Sequence, residues 1–198
     1  MQQVSGGLPA EYRQIDWIRQ GGGPWLDTGV VPTEQTVAKF KFKNTTPTGN
    51  AIFGYYDTER TSWRFFNYNE NSYFDLPSGD TYYRLAPSSG QFSFKIYRDT
   101  VYEVELGNQY IIVDGERKGR DTSRTFPTTP TKSLTLGMYS ATSTSDNTWY
   151  WVKIYEGQTL IRDMIPCVRI ADSKPGMYDL VGRQFYVNQG TSEFVIPT

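Results

Sequence analysis

Histidine is absent from the sequence, and cysteine occurs once, as Cys167. Without histidine the chain lacks the usual general base near neutral pH and the commonest metal ligand, which excludes every triad or zinc site built on imidazole. A lone cysteine also excludes an intramolecular disulfide and a thiolate cluster. Because no imidazole can activate the thiol, we expect Cys167 to be a buried structural residue.

Strong net charge and long apolar runs are missing as well. Twenty basic and 21 acidic residues leave a formal charge of −1, and no basic run interleaves with the aromatic residues, so we expect no nucleic-acid partner. The start, MQQVSGGLPAEYRQ, does not resemble a secretory signal, and no apolar run approaches the roughly 20 residues that cross a bilayer. We therefore expect no membrane insertion.

An alternation of apolar and polar residues with a period near two runs through most of the chain. In TVAKFKFK, residues 36–43, Ala38, Phe40 and Phe42 share one face and a row of lysines shares the other. QFSFKIY and VYEVEL alternate in the same way, and turn signals rich in Gly, Pro, Asn and Asp separate these stretches. A weak helical pattern is confined to residues 11–19.

This pattern predicts an all-β protein, an antiparallel sandwich or barrel. We expect one domain over residues 1–198, with residues 1–7 as a flexible N-terminal segment. The apolar residues expected in its core include Val104, Leu106, Ile112, Leu136, Ile154 and Ile165.

The stretch KIYEGQTLIRDMIPC, residues 153–167, groups basic, acidic and thiol side chains and could be taken for a catalytic constellation. Its EGQ segment predicts a turn between two strands, so the stretch is first of all a hairpin. Arg162 and Asp163 are consecutive and should point to opposite faces of a strand, where they cannot act on one substrate atom. We interpret both as architectural residues that bind neighbouring backbone or side chains.

This hairpin and the following GMYDLVGRQFYVNQGTSEF resemble the closing signature of the LamG-like, concanavalin A-like lectin-glucanase domains. The matching residues are Lys153, Ile154, Tyr155, Leu160, Arg162, Asp163, Ile165, Pro166, Cys167, Gly176, Tyr178, Asp179, Phe185, Tyr186, Asn188, Gly190 and Thr191. The opening IDWIRQGGGPWLDTGVVP is similar to the opening of that family, although QGGGP replaces its usual small polar run. Its matching residues are Ile18, Gly23, Trp25, Leu26, Asp27, Thr28 and Gly29. The resemblance implies a concanavalin A-like jelly roll, in which Cys167 fills a gap between the two sheets.

Glycoside hydrolases occur on the same fold, and their chemistry needs two carboxylates on one face about 5 to 10 Å apart. Glu103 and Glu105 lie two residues apart and share a face. They lack the third acidic residue of the E-x-D-x-x-E run that such hydrolases carry. We therefore predict no enzyme and no catalytic residue, and a glycoside hydrolase-like enzyme is the alternative.

Residues 54–85, GYYDTERTSWRFFNYNENSYFDLPSGDTYYRL, concentrate aromatic rings among polar side chains. Sugars are held by aromatic faces while amides, carboxylates and guanidinium groups bind the hydroxyls, and protein interfaces use the same residue types. We predict a glycan site with at least one ring exposed, Trp63 being the first choice; the alternative is that these rings fill the core. The predicted site residues are Tyr56, Trp63, Arg64, Asn67, Tyr68 and Tyr83.

The resemblance points to a function as a virion or surface structural and adhesion module, such as a bacteriophage fibre or decoration protein that binds host-surface carbohydrate. A purely structural capsid or fibre protein without a glycan ligand is the other alternative. The expected partners are a cell-surface glycan, other virion proteins or further copies of the chain, and the expected location is the virion or a cell surface. We expect no resident cofactor or metal; if calcium is bound, the loops with Asp57, Asp146 and Asn147 are the places to look.

Overall fold

Strands form all the regular secondary structure that the computed structural model describes. The described residues are 7–45, 50–55, 62–68, 71–76, 83–85, 94–120, 130–140, 143–144 and 146–198. Their strands are β1 Tyr12–Gln14, β2 Ile18–Arg19, β3 Leu26–Asp27, β4 Thr36–Asn44, β5 Asn50–Tyr55, β6 Trp63–Tyr68, β7 Asn71–Leu76, β8 Tyr83–Leu85, β9 Val101–Gly107, β10 Tyr110–Val113, β11 Glu116–Arg120, β12 Thr135–Leu136, β13 Met138–Ser140, β14 Ser143–Thr144, β15 Asn147–Glu156, β16 Thr159–Arg169, β17 Lys174–Asp179 and β18 Gln184–Val187. The predicted all-β class is confirmed. Within these residues no helix has the length and hydropathy needed to cross a membrane.

The larger of two antiparallel sheets has the strand order β11-β10-β9-β4-β15-β16-β17-β18. Strand β1 pairs with residues 167–169 of β16, and β2 pairs with residues 148–149 of β15. The helix indicated by the pattern at residues 11–19 is therefore wrong, because strands β1 and β2 of this segment pair with β16 and β15.

The smaller sheet has the order β3-β12-β5-β6-β7-β8, and β13 pairs with β14 in a separate ribbon. Phe40 of the larger sheet stacks on Phe53 of the smaller one, with ring centroids 4.9 Å apart. Phe65 and Trp149 are also fully buried against Phe40. This aromatic core, buried between two antiparallel sheets, is consistent with the predicted sandwich.

Four of the six predicted core residues are buried, namely Val104, Leu106, Leu136 and Ile154. The prediction was wrong for Ile112 and Ile165, which are only partly buried. Ile112 alternates with the buried Ile111 and Val113, and Ile165 follows the buried Met164. Since successive strand residues point to opposite faces, both isoleucines lie on the outer face of the larger sheet.

A bulge in β15 changes which of its aromatic residues enter the core. Trp149 pairs with Phe42 and Trp151 pairs with Lys41, so Tyr150 is an extra residue in this strand. The inserted residue reverses the alternation, which buries Trp149 on the face of Val152 and Ile154. Regular alternation along this strand would instead put Trp149 on the other face, together with Trp151.

Candidate functional site

Trp63, the first-choice glycan contact, lies in the core and has no exposed surface. Its ring packs edge-on against Phe74 with centroids 4.9 Å apart and also contacts Phe53. Strand β6 turns Trp63, Phe65 and Asn67 inward and the residues between them outward. The expectation of a solvent-exposed ring at Trp63 is therefore wrong.

Asn67 is also fully buried, and it belongs to a polar link between the two sheets. Its Nδ2 lies 3.4 Å from Oδ1 of Asn44, and Nδ2 of Asn44 donates to Oδ1 of Asn147 at 2.8 Å. Buried amides need such partners because an unpaired polar group costs about 1 to 3 kcal/mol. Asn67 is thus a structural residue, and the prediction that it contacts a glycan is wrong.

The side chains of three predicted tyrosines lie outside the described part of the structure. Tyr56 lies outside the described residues. Tyr68 pairs with Asn71 and Tyr83 pairs with Leu76 along the backbone of the smaller sheet, but the side chains of both tyrosines lie outside the described part. Their roles as glycan contacts stay predictions.

Arg64 is the one predicted site residue whose described side chain lies on the outer face of the smaller sheet. Its guanidinium carbon lies 4.5 Å from the centre of the Phe66 ring, and its Nε donates to Oδ2 of Asp75 at 2.7 Å. Phe66 stacks with Tyr73 on the next strand, with centroids 5.2 Å apart and ring planes 18° apart. We call Arg64, Phe66, Tyr73 and Asp75 the outer patch.

The register of β6 against β7 assembles the outer patch. Arg64 pairs directly with Asp75, and Phe66 pairs directly with Tyr73. Both rings are partly exposed, whereas the Asp75 side chain is only 1% exposed. Sequence reasoning missed Phe66, Tyr73 and Asp75, although the alternation WRFFNY could have put Phe66 on the face of Arg64.

The closing hairpin separates Arg162 from Asp163, as their consecutive positions predicted. Asp163 forms an ion pair with Lys153 at 2.7 Å on the outer face. Arg162 Nε donates to the carbonyl oxygen of Thr28 at 3.2 Å and lies 3.5 Å from the buried carboxylate of Asp179. Both side chains bind neighbouring groups of the fold, as predicted.

Asp179 organises the turn that follows β17. Its carboxylate accepts hydrogen bonds from the backbone N–H groups of Asp163 at 2.8 Å, Val181 at 3.1 Å and Gly182 at 3.0 Å. Asp179 is fully buried. A buried carboxylate needs several such donors, so the role of Asp179 is to stabilise this turn of the fold.

Cys167 is fully buried, as predicted. Burial raises the pKa of its thiol to about 12, so the thiolate is scarce at neutral pH. The next residue in the strand, Val168, belongs to the core between the sheets. Successive strand residues point to opposite faces, so Cys167 lies on the other face, beside its strand partner Gly176. The expected position between the sheets is therefore wrong; the thiol fills a gap on the outer side of the larger sheet.

The two carboxylates weighed as a hydrolase pair are each joined to a lysine of β4. Glu103 lies 3.2 Å from Nζ of Lys41, and Glu105 lies 2.8 Å from Nζ of Lys39. Glu105 also accepts a hydrogen bond from the hydroxyl of Tyr110 at 2.7 Å. The row of lysines predicted on the outer face thus neutralises the acidic residues of β9.

The described loop considered for calcium is occupied by a guanidinium group. Arg19 binds both carboxylate oxygens of Asp146, at 2.8 and 2.5 Å, and the N–H of Gly21 donates to the same carboxylate at 3.0 Å. The hydrogen bond from Arg19 lowers the pKa of Asp146. Asn147 binds Asn44, and Asp57 lies outside the described residues. Among the residues that are described, no group of three or more potential His, Cys, Asp or Glu ligands comes together.

No protein-family model matches the sequence, and no curated protein matches it well enough to count as a relative.

Proposed function

We propose that this protein is a non-enzymatic adhesion module that binds a cell-surface glycan through the outer patch. In this proposal it is a LamG-like jelly roll of the kind found in bacteriophage fibre or decoration proteins, and it acts in the virion or on a cell surface. Its other partners are further virion proteins or copies of the same chain. The resemblance of its opening and closing motifs carries the family assignment.

The pairing of Phe66 with Tyr73 beside an arginine and a carboxylate is the observation that carries the binding function. Partly exposed rings offer C–H contacts to a sugar, and the guanidinium of Arg64, whose side chain is 12% exposed, offers a donor to its hydroxyl groups, while the buried carboxylate of Asp75 holds that guanidinium in place. The ion pair and the cross-strand stacking fix these side chains before a ligand arrives, so less conformational entropy is lost on binding.

The engagement of the acidic residues favours binding over hydrolysis. A glycosidase needs one carboxylic acid and one carboxylate that face the same sugar. Glu103, Glu105 and Asp163 each form an ion pair with a lysine instead.

The experiment is a glycan-array screen, followed by affinity and thermal-unfolding measurements on Tyr73→Ala. Losing a partly exposed ring removes about 1 to 3 kcal/mol of binding free energy, so affinity for the glycan should fall roughly 5- to 150-fold. Tyr155→Ala is the matched control, since Tyr155 is a partly exposed strand tyrosine on the larger sheet, beside Lys39. It should lose a similar amount of stability and no affinity.

A purely structural role is the second candidate, favoured by the burial of the Asp75 carboxylate beside Arg64. In that case the outer patch stabilises the smaller sheet without binding sugar. A screen without a reproducible glycan, together with a loss of stability in Tyr73→Ala, would support this role over adhesion.

A further inference from the structure

A small cleft opens on the larger sheet, whereas the outer patch belongs to the smaller one. Its volume is about 230 Å³, and it is lined by Gly7, Pro9, Tyr178, Leu180 and Arg183. Pockets for drug-sized ligands run from about 300 to 1,000 Å³. The cleft therefore suits a group the size of one sugar ring or one terminal amino acid.

A fixed aromatic ring forms one wall of this cleft. Tyr178 is only 5% exposed, and its ring packs against Tyr12 with centroids 4.9 Å apart. Tyr12 also contacts Phe185 at 5.0 Å. These contacts hold the Tyr178 ring, and with it the hydroxyl oxygen, in one position.

The hydroxyl of Tyr178 is available to a ligand. It forms no hydrogen bond within the described residues, yet it is not among the fully enclosed side-chain atoms that lack a partner there. Tyr178 itself is one of the residues that line the cleft. Burial raises the pKa of Tyr178, so the hydroxyl stays protonated and can donate at neutral pH.

Arg183 supplies a cation at the same cleft. Unlike Arg19, Arg64 and Arg169, which hold carboxylates, Arg183 forms no ion pair or hydrogen bond in the described part of the chain. It ends the turn that Asp179 fixes through its bonds to two backbone N–H groups. The backbone of Arg183 adopts the left-handed conformation, with a φ of 53°, which is uncommon for a residue other than glycine.

We propose that this cleft binds a carboxylate, with the guanidinium of Arg183 and the hydroxyl of Tyr178 as its polar contacts. A guanidinium group binds a carboxylate with short, charge-assisted hydrogen bonds, and the phenol can add one more. Pro9 and Leu180 offer apolar walls to the carbon skeleton beside the acid. The carboxylate comes either from an acidic sugar or from the end of a peptide chain, and this site is independent of the outer patch.

The probes are sodium glucuronate and N-acetyl-dialanine, each paired with a neutral counterpart, glucose and the dipeptide amide. Titration of the ¹⁵N-labelled protein up to ~30 mM probe detects millimolar affinity. At least one carboxylate should shift the amide signals of Gly182 and Arg183 saturably, and its neutral counterpart should not. A response to glucuronate alone identifies an acidic sugar, and a response to the peptide alone identifies a chain end.

Variants connect this binding to the named side chains. Arg183→Gln should weaken carboxylate binding at least tenfold, and Tyr178→Phe, which keeps the ring contacts, should weaken it about threefold or more. Arg13→Gln is the matched control, because Arg13 is an exposed arginine of β1 that does not line the cleft, and it should bind as the unmodified chain does. The proposal is overturned if neither carboxylate binds, if a neutral counterpart binds equally well, or if Arg183→Gln keeps full affinity. Glycan binding at the outer patch should be unchanged in Arg183→Gln, so the two proposals can fail separately.

Discussion

The side-chain oxygen of Asn188 accepts a hydrogen bond at 3.0 Å from the backbone N–H of Trp25, 163 residues earlier in the chain. The same oxygen accepts from the N–H of Gly190 at 2.7 Å. Gly190 lies against Gly23, where an added Cβ would come within 2.2 Å of the carbonyl oxygen. One amide thus joins the opening motif to the closing motif.

Asn188→Ala should lower the free energy of unfolding by about 1 to 3 kcal/mol, because it leaves the N–H groups of Trp25 and Gly190 without this acceptor. Urea unfolding followed by tryptophan fluorescence measures the change. Gln189→Ala, one residue further and on an exposed side chain, should stay within about 0.5 kcal/mol of the unmodified protein. Equal effects of the two changes would show that the Asn188 contact contributes nothing specific.

Trp63→Ala should lower the free energy of unfolding by about 3 to 5 kcal/mol, since the ring is fully enclosed by Phe53, Phe74 and their neighbours. Trp151→Ala removes a partly exposed indole and should cost clearly less. Chemical denaturation of both variants tests the assignment of Trp63 to the core. A Trp63 variant that is nearly as stable as the original protein would contradict it.

The thiol of Cys167 should react with an aromatic disulfide reagent at pH 8 at least ~100-fold more slowly in the folded protein than in denaturant. Burial raises its pKa to about 12 against roughly 8.5 in an unfolded chain, and the thiolate is the reacting species. A raised pKa also means that this group's contribution to stability is lost as the pH rises above about 8.5. Similar reaction rates in the two states would place the thiol at the surface.

Asp146→Asn should lower the free energy of unfolding at pH 7 by no more than about 1 kcal/mol, because Arg19 is 42% exposed and solvent screens the pair. The folded pKa of Asp146 lies below its usual value. The contribution is therefore present above about pH 4 and is lost as the pH falls through the folded pKa. Urea unfolding at pH 7 and at lower pH should show the difference between Asp146→Asn and the original protein shrinking; a constant difference would contradict the ion-pair explanation.

Sequence alone predicted the regular strands because their alternation is local. Strand β4 buries Phe40 and Phe42 and exposes its lysines as expected, since each side chain's face follows from its neighbours. Alternation alone puts Trp149 on the wrong face, because the bulge at Tyr150 depends on how β15 meets β4. Trp63 was misplaced because an aromatic residue beside polar ones is compatible with either face of a strand, and only burial between the sheets decides.

The outer patch could not be predicted from the sequence for a related reason. Phe66 and Tyr73 meet because β6 and β7 pair in one particular register, and a shift by one residue would separate them. The closing hairpin was easier to interpret, because Arg162 and Asp163 are consecutive and a strand must send them to opposite faces.

The most direct test of the proposed function is a map of the amide signals that shift when ¹⁵N-labelled protein is titrated with the best glycan from the array. Adhesion through the outer patch predicts that the largest shifts fall on residues 64–66 of β6 and 73–75 of β7, and that Tyr73→Ala removes them. Largest shifts elsewhere, or no glycan that shifts any signal, would contradict it.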